Sequence, residues 1–185
     1  MRVIKIFSLI LIIVICSLVL IGFALPAKTH VERKVMISAA PEAVFFLLNN
    51  YKNFNRWSPW AERDPKALYE FSGPVSGVGA KMTWQSDHAE VGSGSQEITL
   101  SKPYERIEVL LDFGDKGTAV AFFALAPQAS GTDLTWGFDT DHGGNIMARY
   151  MGLMMDSWVG PDYEKGLAKL KRILEQPAQV QRKVQ

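Results

Sequence analysis

This sequence contains few cysteines and histidines, and its net charge is close to zero. One cysteine and three histidines occur in 185 residues, and the formal net charge is +1. Cys16 lies inside an apolar run, so we expect neither disulfides nor thiol chemistry in the rest of the chain. His30, His88 and His142 share no metal-ligand spacing, which leaves a zinc site unsupported. Basic residues are scattered rather than clustered, which argues against nucleic-acid binding.

Motifs for catalysis and cofactor binding are also missing. There is no G-x-S-x-G nucleophile motif, and the Gly-x-Gly pairs stand between predicted strands rather than at the start of a helix. Residues 139–145 (Asp-Thr-Asp-His-Gly-Gly-Asn) match positions one, three and six of an EF-hand loop. The ligand at position five is absent, and position twelve is Tyr150 instead of an acid. We therefore expect no cofactor and no metal ion.

By contrast, residues 6–25 form a long apolar run without a single charge. A helix of that length spans ~30 Å at ~1.5 Å per residue, the thickness of the hydrocarbon core of a bilayer. A cleaved signal peptide has a shorter apolar region and a small-x-small cleavage site, which this stretch provides only poorly. We predict a basic tail and an uncleaved single-pass anchor over residues 1–27, in contact with the lipid bilayer through residues 6–25.

The charges on either side of this run bear on its orientation. Arg2 and Lys5 precede it, while Lys28, Arg33 and Lys34 follow it, so the positive-inside count is nearly balanced. A short basic tail usually stays in the cytoplasm. The sequence therefore predicts a domain on the periplasmic or extracellular side of the membrane.

Beyond the run, hydrophobic periodicity changes twice. Residues 29–38 alternate as a strand, and a helix begins near Pro41, ahead of a loop or broken helix that carries Trp57 and Trp60. Six short alternating segments separated by turn signals occupy residues 68–141, which is typical of an antiparallel meander. Residues 145–175 return to helical spacing, with an interruption or bend expected at Gly160–Pro161.

This order of elements predicts an α+β fold. Strands cluster in the middle of the chain and helices stand at its ends, and a sheet must cover its apolar face. We expect a curved seven-stranded antiparallel sheet wrapped on a long C-terminal helix, forming one domain over residues 28–176. A polar tail follows at residues 177–185.

Several segments also resemble a known family. In order and spacing they are similar to the helix-grip fold of the START-like (SRPBCC) superfamily, and within it to the polyketide cyclase/dehydrase and lipid-transport group. The resemblance spans most of residues 31–175 and implies one of the activities found in that superfamily: lipid binding, polyketide cyclisation or chaperone binding. The segments that carry it are Trp-Ser-Pro-Trp-Ala-x-x-Asp-Pro (57–65), Phe-Ser-Gly-Pro-Val-Ser-Gly-Val-Gly-Ala (71–80), Val-Gly-Ser-Gly (91–94), Leu-Asp-Phe (111–113), Gly-Thr-Asp-Leu-Thr-Trp (131–136) and Gly-Pro-Asp-Tyr-Glu-Lys-Gly-Leu-Ala-Lys-Leu-Lys (160–171).

Aromatic and methionine side chains are the candidates for a ligand site between the sheet and the C-terminal helix. Two interpretations stand: these side chains fill the core and plug its end, or they wall a hydrophobic pocket. Rigid aromatics combined with adaptable methionines suit an apolar ligand. The predicted ligand-binding residues are Trp57, Trp60, Met82, Trp84, Ile98, Phe113, Phe122, Trp136, Phe138, Met147, Tyr150, Met151, Met154 and Met155.

Three functions remain open at this point. The first is a membrane-anchored domain that binds an apolar small molecule, lipid-like or isoprenoid-like. The second is a cyclase or dehydratase acting on a polyketide-like or other apolar carbonyl substrate, which needs an acid or base inside the cavity. His142 is a weak candidate for that role, beside Asp112, Asp139, Gln96 and Tyr150, and no constellation emerges among them. The third is a protein-interaction module without a cavity. The sequence does not fix the oligomeric state.

Overall fold

The N-terminal apolar run forms a single helix. The computed structural model describes residues 2–176, so the predicted polar tail at 177–185 lies outside the described residues. Helix α1 (Arg2–Ala24) has most of its large apolar side chains exposed. By length and composition Val3–Ala24 is able to cross a membrane, a test that a signal sequence near the N-terminus also passes. The length and the exposed apolar side chains of α1 fit a membrane anchor or a signal sequence.

Seven strands follow α1 and form one antiparallel sheet, as the alternating segments predicted. Their order across the sheet is β1-β7-β6-β5-β4-β3-β2, so the first strand pairs with the last and every other neighbour is a hairpin partner. A register shift at Ile98–Leu100 in β4 marks a bulge. The strands are β1 (Lys28–Ile37), β2 (Leu68–Ser72), β3 (Lys81–Gln85), β4 (Gly94–Lys102), β5 (Arg106–Asp112), β6 (Thr118–Gln128) and β7 (Gly131–Asp141).

Three short helices connect β1 to β2. Pro41 stands in the first turn of α2, where its missing N–H costs nothing, and the apolar face of this helix is buried on the sheet. Pro59 likewise begins α4, so Trp57 lies in the turn before this helix and Trp60 lies within it. The bounds are α2 (Pro41–Leu48), α3 (Tyr51–Phe54) and α4 (Pro59–Arg63).

The C-terminal helical segment is interrupted, but not where the sequence predicted. Helix α5 (Ile146–Gly152) and helix α6 (Met155–Glu175) are separated at Leu153–Met154, and α6 runs on through Pro161. Of the two alternatives predicted at Gly160–Pro161, an interruption or a bend, the interruption is wrong, because the neighbours of this proline are held on the sheet side. Gly160 lies under Arg33, and Asp162 and Tyr163 are buried. Packing of this kind overrides the local preference of proline.

Helix α6 lies close against the inner face of the sheet. The ring of Tyr163 stacks on that of Trp136, with centroids 3.8 Å apart and an interplanar angle of 9°. One turn later Gly166 permits close contact, since a Cβ atom there would meet the Trp136 ring at 2.8 Å. The fold is thus the predicted α+β helix-grip arrangement, with the core between α6, α2 and the inner face of the sheet.

Candidate ligand cavity

A cavity of about 310 Å³ lies between the sheet and the first half of α6. Its walls include Trp84, Phe113, Thr118 and Thr140, which stand where β3, β5 and β7 end and β6 begins. We call this side of the domain the open end of the sheet. Strand β1 also begins there, with Lys28 paired to Asp141, so α1 enters the domain at the same end.

Six of the predicted ligand-binding residues line the cavity. They come from five different parts of the chain, namely α4, the strands β3 and β7, the turn after β5, and the start of α6. Their role in ligand binding stays a prediction. The six are Trp60, Met82, Trp84, Phe113, Phe138 and Met155.

The aromatic walls are held by contacts with one another and with the backbone. Trp84 meets Phe113 edge to face at 5.9 Å and donates from Nε1 to the carbonyl of Val91 at 3.4 Å. Gly94 in β4 pairs with Trp84 in β3 and carries no side chain. A Cβ atom at this position would meet the Trp84 ring at 2.7 Å. The indole therefore lies over the neighbouring strand and lines the cavity.

Trp57 and Trp60 occupy different environments although three residues separate them. Trp57 is 1% exposed and packs edge to face on Phe54 at 4.9 Å and on Trp136 at 5.2 Å. Trp60 is half-buried, contacts Trp136 and Tyr163, and lines the cavity. Of the two interpretations of this pair, the first tryptophan fits core filling and the second fits a pocket wall.

Eight predicted residues lie away from the cavity. Trp57, Ile98 and Trp136 are buried in the solid part of the core, because close packing fills the space around them. Met147, Met151 and Met154 are exposed. Tyr150 donates its hydroxyl to the carbonyl of Leu18 in α1, at 2.7 Å.

Phe122, the eighth, points to the outer face of the sheet. In β6 the inward positions are Ala119, Ala121 and Phe123, so strand periodicity turns Phe122 outward. There it lies against Gly137 and under the guanidinium of Arg106, whose Cζ is 4.6 Å from the ring centroid. Only one of two adjacent phenylalanines can face the cavity side, and the register selects Phe123.

Other side chains complete the cavity walls and were not among the predicted ligand-binding residues. Leu111 shares the inward phase of Phe113, and Tyr69 stands opposite Trp84 across β2 and β3, so a period-two pattern indicates both. Val159 and Tyr163 follow Met155 at intervals of four residues along α6. Met155 and Val159 directly follow Met154 and Trp158, which are exposed. Helical spacing alone does not distinguish the stripe that lines the cavity from the exposed one.

A buried amide side chain from β4 is among the polar groups that line the cavity. Gln96 is 6% exposed and lines the cavity, and its Nε2 contacts Sδ of Met82 at 3.8 Å. Sulfur is a weak acceptor, so the amide keeps most of its hydrogen-bonding capacity for another partner. Burial raises the pKa of the Tyr163 hydroxyl, and burial followed by the charge of Asp64 raises that of Tyr69, so both remain donors at neutral pH.

Charged groups brace the outer wall. Arg63 of α4 forms a bidentate pair with Asp162 of α6, with N–O distances of 2.6 and 3.0 Å, and Asp162 is 7% exposed. Nε of Arg63 also lies 3.3 Å from the carboxylate of Glu90, in the loop between β3 and β4. The pair with Asp162 fixes α4, and with it Trp60, against α6.

The candidates for acid–base catalysis are dispersed. His142 contacts the hydroxyl of Thr29 through Nε2 at 2.8 Å and does not line the cavity. Asp112 accepts from the backbone N–H of Gly114, and Asp139 pairs with His30. Of these candidates only Gln96 lines the cavity, and an amide does not titrate. Within residues 2–176, no cluster of three or more His, Cys, Asp or Glu side chains is arranged to hold a metal ion.

Solved structures share this fold at low sequence identity. A protein from Chromobacterium violaceum is 19% identical, with a TM-score of 0.54, over 80% of this chain and 99% of its own. The Aha1 dimer from Colwellia psychrerythraea is 16% identical, with a TM-score of 0.52, over 79% and 96%. The di-domain ARO/CYC StfQ of the steffimycin biosynthetic pathway is 13% identical, with a TM-score of 0.59, over 80% of this chain and 51% of its own.

The sequence itself shows which family the chain belongs to. A search of curated proteins finds no match to this sequence. The sequence profile described as polyketide cyclase/dehydrase and lipid transport matches residues 28–175, which cover the sheet and every helix after α1. The chain belongs to the polyketide cyclase/dehydrase and lipid-transport family, as its sequence segments predicted.

Proposed function

We propose that the protein is a membrane-anchored domain that binds an apolar small molecule with one hydrogen-bonding group. The observation that carries this proposal is the cavity of about 310 Å³, which is walled by Trp60, Trp84, Phe113 and Phe138 and offers one buried amide, Gln96. Ligand pockets are typically apolar, with a few polar groups that fix orientation, and begin at roughly 300 Å³. A lipid-like or isoprenoid-like chain with a terminal oxygen meets both conditions.

Binding without chemical transformation is the function that the side chains favour. General acid–base catalysis needs a titratable group within hydrogen-bond reach of the substrate. Of the candidates for that role, His142, Asp112 and Asp139 make their contacts outside the cavity. Two charged side chains, Glu90 and Lys116, do line the cavity, but both are exposed to solvent. The buried amide of Gln96 also lines it, and this amide orients a ligand but transfers no proton at neutral pH.

The membrane anchor is the second part of the proposal. Helix α1 exposes long apolar side chains along its whole length, and burying each in hydrocarbon gains roughly 1.5–3 kcal/mol. An apolar ligand partitions into the same bilayer, so a tethered domain meets it at high local concentration. The basic residues Arg2 and Lys5 favour a cytoplasmic N-terminus, with the domain on the periplasmic or extracellular side.

A fluorescent polyene fatty acid tests the binding proposal. The full chain in detergent micelles is titrated with cis-parinaric acid, and energy transfer from tryptophan to the bound probe is recorded. Ala119 is buried and lines the cavity, so Ala119→Phe fills the cavity and is expected to weaken binding at least about ten-fold, the equivalent of ~1.4 kcal/mol.

Ala126→Phe is the matched control, because Ala126 is exposed on the outer face of the same strand. This variant should bind the probe like the unmodified chain. A folded protein that does not bind the probe, or equal binding by both variants, would contradict a ligand site in this cavity.

A further inference from the structure

An apolar stripe is left exposed where α5 meets α6. Met147, Met151, Met154 and Trp158 are spaced at four, three and four residues. Leu153 and Met154, at the break between α5 and α6, keep right-handed helical backbone angles, so the four side chains follow one face. Met147 is 69% exposed and Trp158 is 47% exposed, and Leu153 lies beside them, also exposed. We call these five residues the α5–α6 ridge. A contiguous exposed apolar surface of this kind marks an interaction site rather than chance exposure.

The position of α5 along α1 indicates what covers the ridge. Gly22 of α1 lies directly against Ile146 of α5. Tyr150 donates its hydroxyl to the carbonyl of Leu18 at 2.7 Å. Leu18 precedes Ala24 by six residues, so this contact is made ~9 Å below the C-terminal end of α1. Helix α5 therefore runs beside the last turns of the apolar helix rather than above them.

The charged groups near the ridge are already engaged within the protein. Arg149 donates from Nη1 to the carbonyls of Phe23 and Leu25, at 2.9 and 3.3 Å, and so satisfies the C-terminal end of α1. Asp156 is paired with Arg33 at 2.8 Å. Apart from Asp156 and Ser157, the exposed side chains from Met151 to Trp158 are methionine, leucine and tryptophan, a composition suited to the boundary between headgroups and acyl chains.

We propose that the α5–α6 ridge lies in the membrane interface and holds the open end of the sheet against a phospholipid surface. This inference rests on the proposed membrane anchor, because α1 sets the depth of α5. The ridge is adjacent to the cavity: Met155 and Val159 line the cavity, and their neighbours Met154 and Trp158 face outward. A ligand then passes between bilayer and cavity along α6 without crossing bulk water.

Spin labels at two exposed apolar positions test this placement. The full chain is reconstituted in nanodiscs of three parts POPC to one part POPG. A nitroxide is attached to Met154→Cys or Phe46→Cys, each in a Cys16→Ala background, and a third sample carries the label on the native Cys16. Phe46 is the matched control, because it is exposed on α2 at the other end of the sheet. Power saturation compares collisions with oxygen, which enters lipid, and with a water-soluble nickel chelate.

The expected result is a reversal between the two positions. Oxygen should relax the label at position 154 more than nickel does, and nickel should relax the label at position 46 more. Nickel access at position 154 with the label at Cys16 protected overturns the ridge proposal and leaves the anchor intact. Nickel access at Cys16 itself overturns the anchor and the ridge together. Protection of position 154 from both reagents indicates a protein contact there and also overturns the lipid assignment.

Discussion

The two ends of the sheet use the same alternation of apolar residues with opposite results. At the packed end, opposite the open end, Ile37, Val44, Leu134 and Leu170 are completely buried. At the open end, inward positions such as Trp84 and Leu111 face a cavity of about 310 Å³. Alternation determines which side chains face the helix, but the elements above them determine whether the space is filled.

Coverage and residue size account for the difference. The packed end is covered by α2 together with the second half of α6, and its inward side chains are branched and large. At the open end Gly117, Ala119 and Thr140 are small, and the indole of Trp84 lies over Gly94 of the neighbouring strand. Small side chains beneath the beginning of α6 leave the gap that large ones close elsewhere.

The largest expected effect comes from shortening one leucine at each end. Leu134→Ala at the packed end is expected to lower the free energy of unfolding by ~2–5 kcal/mol, because it leaves a void among fully buried neighbours. Leu111→Ala should lower it by only about 1 kcal/mol, since that side chain already faces empty space. Chemical denaturation of the two full-length variants in micelles measures both values. Equal losses would mean that the open end is packed as densely as the other.

The next largest effect concerns the ion pair that holds the outer wall of the cavity. Asp162→Asn removes one charge from the buried pair with Arg63, and we expect a loss of ~1.5–3 kcal/mol in the free energy of unfolding. Binding of cis-parinaric acid should weaken in parallel, because α4 carries Trp60. Glu62→Gln, in the exposed pair with Lys169 between the same two helices, is the control and should leave both measurements unchanged. A parallel loss in the control would show that the effect arises from surface charge.

A smaller effect distinguishes the buried amide of Gln96 from the apolar walls of the cavity. Gln96→Leu removes the buried amide, so the affinity for farnesol should fall roughly ten-fold, the value of one hydrogen bond of ~1.4 kcal/mol. The affinity for farnesene, which lacks the hydroxyl, should stay unchanged or rise. Gln128→Leu, at an exposed position of β6, is the matched control for both titrations. Equal losses for the alcohol and the hydrocarbon would contradict a hydrogen bond from Gln96 to the ligand.

The sequence predicted the elements of this fold well because each depends on local periodicity. All seven strands and the apolar face of α2 follow from alternation and helical spacing. The interruption between α5 and α6 does not, since no proline stands at Leu153–Met154 and the proline in α6 is tolerated. Around Pro161 the helix is maintained by the tertiary contacts of Asp162 with Arg63 and of Tyr163 with Trp136. These contacts join residues far apart in the chain, so local sequence does not reveal them.

The candidate site was predictable only in part for a related reason. Periodicity assigns residues to a face, and it placed Met82, Trp84 and Phe138 at the cavity. Alternation puts Phe122 and Phe123 on opposite faces of β6, but which of these faces is the inner one depends on the pairing with β7. Periodicity also cannot separate the exposed methionine stripe from the cavity stripe one position later, because both have helical spacing and differ only in what lies opposite.

The smallest effect contrasts the outer face of the sheet with the inner one, and it depends on pH. On the outer face, His30 on β1 contacts Asp139 on β7 through Nδ1 at 2.7 Å, and mainly this hydrogen bond raises the pKa of His30 above 6.5. A pKa that is higher in the folded state stabilises the fold fully below the unfolded value of about 6.5, and the contribution disappears as pH rises through the folded value. Asp139→Asn should therefore lower the His30 pKa toward 6.5 in an NMR titration and flatten the pH dependence of stability above that value. Glu32→Gln should lower it less, because the Glu32 contact is longer, at 3.4 Å, and contributes less to the shift. If Asp139→Asn left the His30 pKa in place, the pairing of the first and last strands through these side chains would be wrong.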